Sequence, residues 1–329
     1  MTIVRARRAL VLILSLLAAP LAAEAQGGKA FRIGVLSPLA TEPASTGITA
    51  FREGLRELGY VEGKNVALEI RSGDVRQPER LLGLAAELVG LKVDVIVAAS
   101  NRAIAAAQKA TTSIPIVMTT ATDPVAVGFV ASLSRPEGNI TGLTVQTPDV
   151  AGKRLQLLKE VVPNLSRVAV LWDPGHPGGR LQVNEAQAAA RTLRVRVQLV
   201  EVRSPGQLDG AFAAMASDGA GAVFIAGSDM PFAHRGRIAE LAAKRHLPTT
   251  CPLREWVEAG CLIGYGTSIS EQWRRAAYFV DRIRKGTKPA DLPVEQPTKF
   301  DFVINLKTAK ALGLTIPPSV LGRADQIIE

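Results

Sequence analysis

Beyond the first two dozen residues, two kinds of hydrophobic stretch take turns along the chain. Short apolar runs without polar alternation recur at 32–37 (RIGVLS), 66–70, 93–98 (VDVIVA) and 115–118. Between them, apolar residues return every three or four positions. Phe51, Leu55 and Leu58 share one face of 47–58, and Leu81, Leu84, Ala85 and Leu88 share one face of 78–89; 103–110 is a third such stretch. The first kind predicts strands buried on both faces, the second amphipathic helices. Strict strand–helix alternation predicts a doubly wound α/β domain.

The pattern then restarts. Residues 167–172 (RVAVLW) match 32–37, and a proline follows each, Pro174 and Pro38. Residues 221–227 (GAVFIAG) match 93–98 and are followed by Ser228-Asp229, as the earlier run is by Ser100-Asn101. A third match pairs 244–250 with 109–120, each ending in a Pro-led strand and Thr-Thr. Three matches in the same order predict two copies of one βαβ-rich lobe. The tail adds a helix at 269–285, a strand at 298–305 and a short helix at 307–312 ended by Gly313, so the chain is expected to recross between lobes.

The first stretch is read apart from the fold. Arg5, Arg7 and Arg8 precede an apolar segment at 9–21, and Ala23-Glu24-Ala25 supplies small residues for cleavage before Gln26. Thirteen apolar residues broken at Pro20 fall short of the ~20 that span a bilayer. A signal peptide over 1–25 and a soluble exported protein are expected, with the export route, Sec or twin-arginine, left open by Arg7-Arg8.

Composition narrows the chemistry. With 47% apolar residues in 329, the chain can fill packed cores, and disorder is excluded. The formal charge is +9, and the leader carries three Arg and one Glu, so the mature chain keeps +7. These charges are scattered, with no basic stripe and no stacking aromatics, so no nucleic-acid partner is expected. Two cysteines and three histidines are too few for zinc or iron–sulfur sites, and no metal is expected. Cys251 and Cys261 read as two buried thiols, a disulfide being the other possibility.

Motif searches return little. No G-x-G-x-x-G follows the first strand, and there is no Walker A lysine, so no nucleotide or other cofactor is expected. Ser228 lacks the second glycine of a nucleophile elbow, and His234 lies six residues on, a poor start for a triad. His176 sits in a strand-end loop where it can reach a ligand, whereas His246 precedes a strand and reads as structural. No catalytic residue is assigned.

Position is more informative. Open parallel sheets bind ligands at the carboxyl ends of their strands. Those ends carry Ser37, Ser100, Asn101, Thr122, Asp123, Trp172, Asp173, Ser228 and Asp229, mostly hydroxyl, amide or carboxylate groups. Such a set can hold a small polar molecule from two sides. The same residue types also cap helices, so part of the set is expected to serve only as caps. Asp123, before Pro124, is expected in the first turn of a helix, either as its cap or facing a ligand amine.

Several segments together resemble one family. They are FREGLRELGYVEGKNV (51–66), AAELV (85–89), KVDVIVA (92–98), SIPIV (113–117), DPVAVGFVASLSRPEGNITGLT (123–144), GKRLQLLKEVVP (152–163), FAHRGRIAELAAKRHLP (232–248) and the tail from KGTKPADLPVEQPTKFDFVINL to GRAD (285–325). This is similar to the ABC-transporter substrate-binding family with the type I periplasmic binding fold, which includes tryptophan-type amino-acid binders. The resemblance implies an α/β fold of two Rossmann-like lobes with parallel sheets, joined by a multi-strand hinge that closes on a ligand. Crossings are expected near 144–148, 261–267 and 291–298. The first lobe would comprise 26–146 plus 262–292, and the second 147–261 plus 293–329. Thr122-Asp123 is the best match at a ligand-facing position, and Gln146, in the first crossing, joins the candidate set.

The implied function is non-enzymatic. A small polar or amino-acid-like ligand would be captured in the periplasm by a monomer and delivered to an ABC permease in the inner membrane. Ser100-Asn101-Arg102 departs from the small residues and proline common there, Asp173 replaces an asparagine, and Cys261 a glycine. Ligand identity therefore does not carry over. Two other classes stay open from the residues alone: an exported α/β hydrolase-like enzyme using Ser228 or Asp123, and the sensory domain of a regulator.

Overall fold

The computed structural model describes residues 30–39, 42–75, 77–145 and 149–329. The expected leader and Gln146 lie outside the described residues.

The first sheet has five strands, β1 (Phe31–Ser37), β2 (Val66–Ser72), β3 (Val95–Ala98), β4 (Ile116–Ala121) and β5 (Ile140–Thr144), in the order β2-β1-β3-β4-β5 and all parallel. Helices α1 (Glu42–Glu57), α2 (Arg80–Gly90) and α3 (Ser100–Ala110) connect them. The second sheet begins with β6 (Arg167–Trp172), β7 (Arg196–Glu201), β8 (Ala222–Ile225), β9 (Thr249–Cys251) and β10 (Ile263–Gly266). Its order is β7-β6-β8-β9-β10, the same sequence of positions as in the first sheet. The internal repeat read from the sequence is thus a repeat of topology. Buried branched residues explain the strands: Ile33, Val35, Val95, Ile96 and Val97 in the first sheet, and Val168, Val223 and Ile225 in the second, are fully enclosed.

Around the second sheet lie α4 (Asp149–Val161), α5 (Gly179–Thr192), α6 (Leu208–Ser217), α7 (Asp229–Ala233), α8 (Arg235–Lys244) and α9 (Arg254–Glu258). The tail then crosses twice. Helix α10 (Ile269–Arg284) packs on α1, where Arg274 reaches Glu53 at 2.6 Å and Glu57 at 3.1 Å. Glu295 next adds to the edge of the first sheet, donating its N–H to Gly142 at 2.9 Å and accepting from Thr144 at 3.0 Å. The chain returns into β11 (Asp301–Asn305), α11 (Leu306–Ala311), α12 (Pro318–Leu321) and β12 (Gln326–Ile328), completing a seven-stranded sheet.

Two expectations need correction. Residues 262–266 were assigned to the first lobe, yet β10 pairs with β9 and β11 in the second sheet, and the crossing follows it at Thr267-Ser268. Residues 293–295, assigned to the second lobe, pair instead with β5 of the first. The second sheet is also not wholly parallel, since β11 runs antiparallel to β10. The cause is the route: the chain leaves β10 at the interface end and re-enters there, so β11 must run the other way.

One buried cation ties the second lobe together. Arg154 on α4 is 1% exposed, and its Nη2 donates to the carbonyl of Ile225, at 2.5 Å, and to that of Thr250, at 3.1 Å, on neighbouring strands. Its guanidinium lies 4.0 Å from the centre of the Phe224 ring. Burial lowers its pKa to about 10, still far above neutrality, so the charge persists. Arg154→Met should fill the space but leave both carbonyls short of a donor, costing ~2–3 kcal/mol in urea denaturation.

Candidate functional site

The carboxyl ends of both sheets face each other across a cavity of about 140 Å³. Five of the sequence-derived candidates line it: Ser37, Ser100, Thr122, Ser228 and Asp229. Ser37 ends β1 and Ser100 follows β3, at the point where strand order reverses in the first sheet. Ser228 and Asp229 follow β8, beside the equivalent point in the second. The rest of the wall is largely apolar and aromatic, with Phe232, Trp256, Ile269 and Trp273 prominent.

Close backbone approach shapes the floor. A Cβ on Gly266 would fall 1.6 Å from the carbonyl oxygen of Pro252, so only glycine lets β10 end against the segment after β9.

Asp229 is the one carboxylate on the described lining. It is 5% exposed, accepts from the Ser100 hydroxyl at 3.2 Å, and lies 3.9 Å from the Nε of Arg102. Burial, the largest cause, pushes its pKa up to about 6, against the opposing pull of Arg102 and the Ser100 hydroxyl. A buried carboxylate with this little compensation is poised for a cationic group.

Four other polar atoms on the lining are buried without a hydrogen-bond partner among the described residues: Ser228 Oγ, Thr267 Oγ1, Trp256 Nε1 and His176 Nδ1. Unpaired buried groups are rare in native proteins and mark places where a ligand or water completes the bonding. The unpartnered Ser228 Oγ also lacks the base contact that a nucleophilic serine requires.

The remaining candidates do other work. Asn101 is 1% exposed; its Nδ2 donates to the carbonyls of Thr122 and Pro177, each at 2.8 Å, and its Oδ1 accepts from the Thr122 N–H at 2.8 Å. Asp173 accepts from Arg102 Nη2 at 2.7 Å and from the Gly175 N–H at 2.8 Å. Both residues therefore bond across the lobes or within the wall and do not face the cavity. Trp172 turns into the core of the second lobe, with Arg180 stacked 4.4 Å above its ring. Its loop sends His176 to the cavity in its place.

Asp123 lies off the cavity lining. No helix follows Pro124; residues 124–128 form turns, and Asp123, at φ 43°, accepts from the Ala126 N–H at 3.0 Å. The carboxylate caps that turn, in place of the helix expected there. Asp123→Asn should leave ligand affinity and melting temperature unchanged, since Asn caps as well as Asp. Paired calorimetric titrations and thermal melts of the two proteins check this.

Some site residues escaped sequence reasoning. Trp273 lies at helical spacing inside the helix expected at 269–285, which marks it for a core, and Phe232, Trp256 and Thr267 carried no motif. Thr267 follows the last repeat-equivalent strand, β10, and that position was the available signal.

The lobes are in contact around the cavity. Ser100, Asn101 and Arg102, in the first turn of α3, meet Asp229, Pro177 and Asp173 of the second lobe. A Cβ on Gly178, at φ 86°, would approach Asn101 Nδ2 to 3.0 Å, so this seam also depends on glycine. The predicted helix began only at Ala103. Its extension to Ser100 places the contact residues.

Residues 32–328 match the family described as ABC transporter substrate binding protein. The chain belongs to that family. It is similar to the tyrosine-binding protein of Clostridioides difficile (strain R20291), at 24% identity over 80% of this chain and 75% of that protein. Among solved structures, an ABC domain in complex with L-Trp from Streptococcus pneumonia matches at 25% identity and a TM-score of 0.86, over 91% of this chain and all of that one. A conserved domain protein from Vibrio cholerae matches with the same identity, TM-score and coverage. The fold is that of the type I periplasmic binding proteins. Members of this substrate-binding family are solute binders and not enzymes, which agrees with a cavity built for holding.

The cysteines occupy the second-lobe core. Both thiols are free and buried, and Cys251 Sγ donates to the Ile263 carbonyl at 3.1 Å. Burial, first among the causes, and the neighbouring Cys261 push the Cys251 pKa well up, so it stays an inert thiol.

Proposed function

We propose that this chain is the exported solute receptor of an ABC importer, binding an amino-acid-like molecule with an apolar or aromatic body. The observation that carries the reading is Asp229: a buried carboxylate, the one acidic group on the described wall of an inter-lobe cavity that is elsewhere largely aromatic and apolar with a few neutral polar groups. An ammonium group satisfies the carboxylate, and the aromatic wall covers the body of the ligand. The named ligands of similar proteins, tyrosine and L-Trp, have this pairing of amine and aromatic ring.

The leader before Gln26 directs export, and the loaded protein hands its ligand to a permease in the inner membrane. The protein works as a monomer in the periplasm. Entry requires the lobes to part, because Arg102 and Asn101 bridge them beside the cavity. Opening and closure occur about the segments that cross between the lobes, among them 267–268 and 296–300. The ligand site comprises Ser37, Ser100, Thr122, Ser228 and Asp229 with the aromatic wall.

Isothermal titration against the twenty standard L-amino acids tests this reading. Saturable one-to-one binding of at least one aromatic or large apolar amino acid is expected. Absence of heat and of any thermal-shift response across the panel would refute it.

A further inference from the structure

An amino acid brings a carboxylate as well as an amine, and the described cavity lining contains no Lys or Arg to receive it. Arg102 lies nearby but is engaged by Asp173 at 2.7 Å and faces Asp229 at 3.9 Å. The nitrogen-bearing side chains on the lining are His176, Gln182, Trp256 and Trp273. Gln182 is spent on Gly227, donating to its carbonyl at 2.8 Å and accepting from its N–H at 2.9 Å. The two indoles meet the rings of Phe51 and Phe232 edge-on, and of the two only Trp256 leaves its Nε1 buried without a partner among the described residues. His176 Nδ1 is the other such nitrogen.

We propose that His176 holds the carboxylate of the ligand, acting as a neutral hydrogen-bond donor. The inference rests on the amino-acid reading above and adds the residue that distinguishes an amino acid from a plain amine.

The ring is fixed in place by its loop. The His176 N–H donates to the Asp173 carbonyl at 3.2 Å, the Gly179 N–H donates to the His176 carbonyl at 2.9 Å, and Arg102 anchors Asp173 from the other lobe. The side chain is 6% exposed, lines the cavity, and leaves Nδ1 unpartnered among the described residues. Burial first, and then the charge of Arg102, lowers its pKa to about 3, so the imidazole is neutral and offers one N–H. A ligand without the carboxylate would leave the buried imidazole unpaired, and sites built to hydrogen-bond a group reject analogues that lack it by large factors.

The test compares matched pairs by calorimetry: L-tyrosine with tyramine, and L-tryptophan with tryptamine, on the parent protein, His176→Leu and His176→Gln. In the parent, the amino acid of at least one pair should bind ten or more times more tightly than its amine. His176→Leu should lower that preference to threefold or less, mainly by weakening the amino acid, while His176→Gln, which keeps an N–H, should restore most of it. Equal binding of amine and amino acid by the parent overturns the proposal even if a variant misfolds. So does an unchanged preference in folded His176→Leu. If the parent binds neither member of either pair nor any other amino acid, the amino-acid reading itself has failed, a result distinct from binding without discrimination.

Discussion

Asp229→Asn is expected to weaken binding of an amine-bearing ligand by about 10- to 100-fold, the range associated with losing a hydrogen bond to a charged group. The substitution preserves shape and keeps an oxygen for the Ser100 hydroxyl, so the cavity should persist. It also removes a buried charge, so the melting temperature should hold or rise. A lower melting point with proportionately lower affinity would indicate a structural role instead.

Acidity gives a second view of the same group. Ligand affinity should fall as pH drops below about 6, because protonation of Asp229 removes the charge that attracts the amine, and Asp229→Asn should flatten this dependence. Melting curves are less selective. The folded carboxyl of Asp229 sits above the ordinary 3.8, so its contribution to stability is full below that value and lost as pH rises through about 6. Glu185, raised to about 7 chiefly by burial, acts in the same sense. His176 acts oppositely, since its imidazole, lowered to about 3, costs stability as pH falls below the ordinary 6.5. Affinity, measured on parent and variant across pH 5 to 8, separates the carboxylate from these neighbours.

Arg102→Ala should shift the protein towards an open form. Side chains of Arg102 and Asp173 are 13% and 2% exposed, so the variant leaves a buried carboxylate without its cation. Removing one partner of a buried pair typically costs ~3–5 kcal/mol where the structure cannot yield. Here the lobes can part and rehydrate Asp173, so the cost appears as lost closure. Apparent ligand affinity should drop at least tenfold, and small-angle scattering should show a larger radius of gyration without ligand. Arg274→Ala, which removes two ion pairs in which Arg274 is 49% exposed, provides the control and should leave both readings unchanged.

Much of this architecture is legible in the sequence because period and topology are local signals. The run RVAVLW became β6 at its full predicted length, and the 32–37 run became β1 with one added residue. The repeat matches reported the shared strand order. Sheet membership of 262–266 and 293–295 was not legible, since a crossing has the same composition on either side and only pairing assigns it. At the site, strand-end position identified Ser37, Ser100, Thr122, Ser228 and Asp229. It could not distinguish Asp229, which faces the cavity, from Asp173, which faces Arg102, because that depends on a long-range partner 71 residues away. The aromatic wall was hidden for another reason: Trp273 sits at helical spacing and serves the core and cavity together.

The most direct measurement is native mass spectrometry of the protein produced from its full sequence and purified without denaturation. A fraction should carry one bound molecule in the mass range of an amino acid. Denaturation should release it unchanged, and Asp229→Asn should arrive empty. A parent protein with no bound small molecule, and none acquired on incubation with the twenty amino acids, would contradict the binding function assigned to the cavity.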